Sequence, residues 1–268
     1  MSVCIFLRHR ALFAVLMLGL LAGCGSTARD DRNNPNAEKL YADAKDDMNA
    51  GSYDKAIATL ERIEGLAAGS VLAQQAMVDQ AYAHWKTNER TKAVTVLDRF
   101  IKLHPSSPAL DYAMYMKGVV NFNENLGILS SISRQQISER DQQASRDAHQ
   151  AFKQLTEQFP DSKYSADARL RMDYIVNTLA DNELHVARYY YRRGAFVAAA
   201  NRAQQAVKDF QQAPAIEEAL YILASSYERL GLAELRDDAD RVLKRNFPNS
   251  RFISGGVRLP DRAWWQFW

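Results

Sequence analysis

A recurring punctuation constrains this chain more than any other feature. Gly51-Ser52-Tyr53-Asp54-Lys55-Ala56-Ile57 reads as a tight turn running into a helix. Asn88-Glu89-Arg90-Thr91-Lys92-Ala93-Val94 repeats it 37 residues later in the same register. Gly194-Ala195-Phe196 and Gly231-Leu232-Ala233 are again 37 residues apart. Closing signals stand at the other end of each unit: Leu103-His104-Pro105, Phe159-Pro160-Asp161-Ser162, Ala213-Pro214 and Phe247-Pro248-Asn249-Ser250. Proline cannot continue a helix and restricts the residue before it, so each of these signals ends one. From Ala37 onward the chain is rich in Ala, Leu, Gln, Lys and Arg, which favour helix, and almost nothing reads as strand. The proline-to-proline spacings are 55, 54 and 34, and the last matches the roughly 34-residue unit of a tetratricopeptide array.

These spacings predict an all-α fold, an α-solenoid of five tetratricopeptide-like helix–turn–helix repeats over residues 37–66, 70–105, 108–160, 163–213 and 215–248. The two long units differ in where their extra residues go. The third carries an insertion over 123–145, rich in Ser, Gln and Arg, and the fourth a helix lengthened from Ser165 to about Arg193. Ala56, Leu60 and Ile63, then Ala93, Leu97 and Phe100, follow i, i+4, i+7 along the second helix of a unit, the stripe that packs one repeat on the next. No pair buries its apolar face alone, so the array is continuous. The expected subdivisions are 37–105 for repeats 1 and 2, 106–160 for repeat 3, 161–250 for repeats 4 and 5, and an aromatic tail over 251–268.

Ahead of the repeats, Arg8, His9 and Arg10 precede an apolar run from Ala11 to Leu21, followed by Leu21-Ala22-Gly23-Cys24. A basic region, a short apolar region and small residues before a cleavage point describe a secretory signal over residues 1–23. The apolar run is about half the ~20 residues that span a bilayer. Leu-Ala-Gly-Cys resembles a bacterial lipobox, in which the cysteine sulfur receives a diacylglycerol. Cys24 is therefore the expected lipidation site and residues 24–36 a flexible polar tether. Gly25 and Ser26 lack the aspartate that resembles an inner-membrane retention signal, which points to the outer membrane, with the body in the periplasm.

Charge and motif content exclude several classes. The net charge is +2, and without Arg8 and Arg10 the 34 basic residues fall to 32 against 32 acidic ones, so a uniformly basic nucleic-acid binder is excluded. Cys4 leaves with the signal, so no disulfide forms within the mature chain. His84, His104, His149 and His185 are scattered, without metal-ligand spacing, and no cofactor or metal is expected. Ser52-Tyr53-Asp54-Lys55 satisfies the S-x-x-K pattern of penicillin-interacting serine enzymes, but their S-D-N and K-T-G companions are missing. The chain therefore reads as a non-enzyme.

Two stretches stand out for binding. Between Leu184 and Phe210 the charges are Arg188, Arg192, Arg193, Arg202, Lys208 and Asp209, with Tyr189-Tyr190-Tyr191 among them, a composition typical of interfaces. Glu234, Asp237, Asp238 and Asp240 follow in the next unit as candidate neutralising charges. Trp264, Trp265 and Trp268 gather at the end with Phe267, a candidate contact with protein or membrane, or a cover for the last repeat.

Several segments carry a more specific resemblance: Asp98 to Pro105, Asp111-Tyr112-Ala113-Met114-Tyr115-Met116-Lys117-Gly118, Glu139-Arg140-Asp141, Phe159 to Tyr164, and Tyr189-Tyr190 through Arg193-Gly194-Ala195 to Asn201-Arg202. With the lipobox and five divergent repeats, the chain resembles the tetratricopeptide lipoproteins of the outer-membrane β-barrel assembly machine, a family formerly described as competence lipoproteins. It departs from them at Gly65 to Gly69 and at Gly127 to Ser131. The resemblance implies a lipid-anchored scaffold. Its C-terminal repeats would bind the barrel-proximal periplasmic domain of the barrel-forming subunit, with Arg193 and Arg202 foremost and Arg188 and Arg192 beside them. Its N-terminal repeats would form a groove for unfolded outer-membrane protein precursors, with Tyr41, Tyr82 and Trp85 assigned to the lining from residue type alone. The machine's other lipoproteins are implied as further partners, and nucleic acid is not. The alternatives are a periplasmic adaptor for peptidoglycan-synthesis or division proteins and, as an enzyme, a hydrolase built around Ser52 and Lys55.

Overall fold

The computed structural model describes residues 35–122 and 139–255. The signal, Cys24, most of the tether, most of the insertion, and Trp264, Trp265 and Trp268 lie outside the described residues. Eleven helices follow one another among those described, with no strand: α1 (Pro35–Asn49), α2 (Tyr53–Leu66), α3 (Val71–Lys86), α4 (Arg90–Leu103), α5 (Leu110–Asn121), α6 (Glu139–Gln158), α7 (Ser165–Arg192), α8 (Phe196–Asp209), α9 (Ile216–Arg229), α10 (Ala233–Asn246) and α11 (Arg251–Gly255). They pair as five hairpins, α1/α2 to α9/α10, and α11 follows the last. The first helix starts at Pro35, whose fixed φ suits a first helical turn. The second helix of the third unit starts at Glu139, so the last seven residues of the 123–145 stretch are helical. None of these helices is long and apolar enough to cross a membrane.

Four of the hairpin turns are built alike. Gly51 donates to Met48 O at 3.1 Å while Ser52 donates to Asp47 O at 2.8 Å. The same pair of bonds joins Asn88 to Trp85 and Glu89 to His84, Gly194 to Tyr191 and Ala195 to Tyr190, and Gly231 to Glu228 and Leu232 to Tyr227. This double bond pattern is the Schellman closure, and it requires a left-handed residue at its centre. The φ values are 76°, 64°, 76° and 73° at Gly51, Asn88, Gly194 and Gly231. Asn is the ordinary residue best able to replace glycine there, which is why the second unit keeps the geometry without the glycine.

The closures at the other end correct the sequence reading in one place. Phe159 donates to Leu155 O and its carbonyl accepts from Ser162, and Phe247 does the same with Leu243 and Ser250. In the fourth unit the residue in that role is Phe210, bonded to Ala206 O at 3.0 Å and accepting from Ala213 at 2.9 Å. Gln211 thus stands where the others have proline, and Pro214 belongs to the approach to α9. The step from Phe210 to Phe247 is 37 residues, the glycine period, and not the 34 that the prolines suggest.

From α1 to α10, substantial contacts join each helix to the next, and first helices meet across units at α1 to α3, α3 to α5 and α7 to α9. The core follows the same order as five apolar clusters joined by shared side chains, the small first one of Ala37, Ala67 and Ala73 meeting the next through Leu72. Tyr82 links the cluster of α1–α3 to that of α3–α5, Ile101 links this to the cluster of α5–α7, and Phe210 links that to α7–α10. Ala56, Leu60 and Ile63 are the buried residues of α2, and Ala93, Leu97 and Phe100 are buried in α4 with Val96. In the third unit α5 and α6 approach closely because Gly118 has no side chain: a Cβ there would overlap the Phe152 ring. At the far end Phe252 of α11 is buried and stacks on Tyr221 at 5.1 Å, covering α9.

Candidate functional site

The long α7 carries the arginine-rich stretch to the turn at Gly194, where the four candidate arginines part company. Arg188 points inward and forms a two-pronged bond through Nε and Nη2 to both carboxylate oxygens of Glu218, which is 8% exposed in the first turn of α9. That fork holds Arg188 above its ordinary pKa and ties α7 to α9. Arg202, on α8, donates to Glu183 of α7 at 3.2 Å, and Glu183 is 6% exposed. Both arginines neutralise buried carboxylates: Arg188 ties the fourth unit to the fifth, and Arg202 ties the two helices of the fourth unit to each other. The acidic run expected to do this pairs locally instead: Asp237, Asp238 and Asp240 meet Arg236, Arg241 and Lys244 of their own helix.

Arg192 and Arg193 are exposed. Arg193 caps α7 with its backbone and lays its guanidinium over the exposed Tyr189 ring, 5.1 Å from the centroid. Across the turn, Phe196 packs edge-on against Tyr191 at 5.4 Å and carries the Arg229 guanidinium at the same 5.4 Å. Val197 beside it is 60% exposed. Tyr190 and Tyr191 are partly buried against the core and hold this edge in place. The turn thus carries a ridge of two arginine–aromatic pairs, Arg193 on Tyr189 and Arg229 on Phe196, with Arg192 and Val197 exposed beside them. Guanidinium forks beside aromatic rings suit carboxylates set among apolar residues. Sequence reasoning missed Arg229, although the period reaches it: it stands 37 residues after Arg192.

A second surface lies on the first helices of units 1 to 4. The three residues assigned there come together. Tyr82 and Trp85 of α3 pack at 5.8 Å, with the Lys86 ammonium over both rings. Tyr41 of α1 donates to Asp79 Oδ2 at 2.7 Å, one turn before Tyr82, and Lys45 reaches the same oxygen at 3.2 Å. Burial and the Asp79 hydrogen bond raise the Tyr41 phenol well above its ordinary value. The strip continues through residues that the sequence did not single out as lining. Tyr112 lies 5.3 Å from Tyr164, Tyr164 stacks on Tyr115 at 4.9 Å, and Tyr115 donates to Asp167 at 2.7 Å. Burial pushes the Tyr112 phenol up to about 12, so its hydroxyl stays a protonated donor. The strip offers flat apolar faces edged by hydroxyls and carboxylates, a lining on which an extended segment can stack and hydrogen-bond.

The S-x-x-K pair shows no catalytic geometry. Ser52 sits at the N-terminal cap of α2 without a side-chain cap bond. Lys55 is bound to Asp47 Oδ1 at 2.9 Å, and that hydrogen bond raises its pKa, the opposite of what a general base needs.

Stacked helical hairpins presenting an arginine–aromatic ridge and a tyrosine strip define a tetratricopeptide-type solenoid. The profile of a family described as outer membrane lipoprotein, YfiO, matches residues 33–243. Two relatives from Neisseria meningitidis, each named outer membrane protein assembly factor BamD, are 41% and 42% identical over 265 residues, 97% of this chain and 99% of theirs. A relative of the same name from Haemophilus influenzae is 32% identical, covering 89% of this chain and 91% of its own. The chain belongs to the YfiO family of outer membrane lipoproteins.

Proposed function

We propose that this protein is a non-enzymatic assembly factor for outer-membrane proteins, lipid-anchored through Cys24 at the periplasmic face of the outer membrane. Its family and the names of its relatives support the assembly role. It binds the barrel-proximal periplasmic domain of the barrel-forming subunit through the ridge at the fourth turn. The observation that carries this reading is the split among the arginines. Arg188 and Arg202 already hold buried carboxylates, while Arg192 and Arg193 are exposed beside Tyr189. The tyrosine strip of the N-terminal units takes an extended segment of an unfolded precursor. The anchor keeps both events beside the membrane, and the stack of helices fixes the distance between them.

The test is co-purification from gently solubilised membranes through a C-terminal tag, comparing wild type with Arg193→Glu. Arg202→Glu is the poorer variant, since it would place a carboxylate against buried Glu183. Recovery of the barrel-forming subunit with wild type and its loss with Arg193→Glu is the expected result. Recovery of peptidoglycan-synthesis or division proteins in its place would favour the adaptor reading, and undiminished recovery with the variant would remove the ridge from the interface.

A further inference from the structure

Away from both surfaces, a cleft of about 580 Å³ runs between the second helices of the first two units, α2 and α4. Gln80 and His84 of α3 form part of its lining, joined by Asp54, Glu61, Glu89, Lys92 and Arg99. At 3.6 residues per turn, Gln80 and His84 face the opposite side of α3 from Asp79, Tyr82 and Trp85, so the cleft is separate from the tyrosine strip. A smaller recess of about 330 Å³ shares Glu61, Gln80 and Arg99 with it and adds Glu64.

Gln80 is 4% exposed, and its Oε1 is a buried oxygen without a hydrogen-bond partner. Its amide orientation is fixed, because Nε2 donates to Glu61 Oε1 at 3.1 Å and a flipped amide would set two oxygens against each other. A buried acceptor without a donor is costly, and native structures rarely leave one. The charges around it favour a cation. Lys92 is held by Glu89 at 2.6 Å and Arg99 by Glu64 at 2.8 Å, while no ion pair among the described residues reaches Asp54 or Glu61. The cleft thus has an unmet acceptor in its floor and, around it, two carboxylates outside any ion pair, Glu61 already accepting from Gln80 Nε2 and both close enough to help raise the Lys92 pKa.

We propose that this cleft receives an arginine side chain presented by an extended segment of a partner protein, with the guanidinium donating to Gln80 Oε1 and to the Glu61 carboxylate. A planar fork of donors matches an amide oxygen beside a carboxylate better than an ammonium does. The cleft is open along its length between two helices, which suits a side chain offered from a passing strand of chain. This site does not depend on the function proposed above.

The test titrates the full-length protein in detergent micelles with acetyl-Gly-Ser-Arg-Ser-Gly-amide, following the Gln80 side-chain amide by NMR. The neutral citrulline peptide is the control. The arginine peptide is expected to move that resonance saturably at millimolar concentration and the citrulline peptide to leave it unchanged. Glu61→Gln, an exposed position that leaves the fold intact, and Gln80→Met, followed through the backbone amide of Glu61 in place of the missing side-chain amide, are each expected to weaken binding by about tenfold or more, the worth of a hydrogen bond to a charged donor. An equal response to citrulline, or unchanged affinity in both variants, would overturn the proposal. So would a Gln80 amide that does not move, which would mean that a bound water alone satisfies the oxygen.

Discussion

Arg188 and Glu218 show how far a residue's role depends on what it meets across the fold. The Glu218 carboxylate is almost fully buried and receives both prongs of one guanidinium, so removing either partner strands the other. Glu218→Ala is expected to cost about 2 kcal/mol in urea unfolding, less than a fully buried pair because the Arg188 side chain stays 37% exposed. Replacing both residues with methionine should recover most of that loss. His149 gives a pH dependence of its own. Burial lowers its pKa below 6.5, with the Lys153 charge adding to the effect. The folded state therefore binds its proton less readily than the unfolded chain. The stability tied to the neutral ring is present above pH 6.5 and is lost as pH falls through that value. His149→Gln should flatten the fall in urea midpoint just below pH 6.5, before the carboxylates begin to titrate.

At the scale of the helix, length and contact matter more than propensity. The α7 helix runs 28 residues and so carries the arginine ridge beyond the body of the fourth unit to its turn. In the third unit the fit of α5 on α6 hangs on one missing atom. Gly118→Ala improves helix propensity but drives a methyl group into the Phe152 ring, and overpacking of that kind costs about 1–3 kcal/mol. Thermal unfolding should show the loss, and adding Phe152→Leu should return part of it, because the two positions share one contact. A double mutant that summed the two single losses would mean that Gly118 matters for another reason.

The whole molecule is a line of neighbours. Each unit touches the next and little else, and single side chains such as Tyr82, Ile101 and Phe210 bridge the clusters. Stability in such an array is local, a sum of unit and interface terms. Leu60→Ala, which empties a buried site in α2, should cost about 2–5 kcal/mol and speed amide exchange through α1 to α3. Exchange in α9 and α10 should stay as it was; acceleration there would show that the five units unfold as one. The same linear order sets the separation of the tyrosine strip and the arginine ridge, as the proposed bridging of a precursor to a barrel-forming partner requires.

The sequence alone determined the elements and their order, because the signals that do so are local. A left-handed glycine, a proline closure and an i, i+4, i+7 stripe each act within a few residues, and their common register aligns Asn88 with Gly51 even though the residue differs. It misplaced the fourth closure, since Pro214 was the louder signal while the bond to Ala206 marks Phe210. Tertiary structure decided which charges remain free. Arg188 and Glu218 are 30 residues apart and Arg202 and Glu183 are 19 apart, so nothing in the spacing revealed that these arginines are spent on buried carboxylates. The unmet oxygen of Gln80 was equally invisible, because an unsatisfied group is defined by what surrounds it and packing alone sets those surroundings.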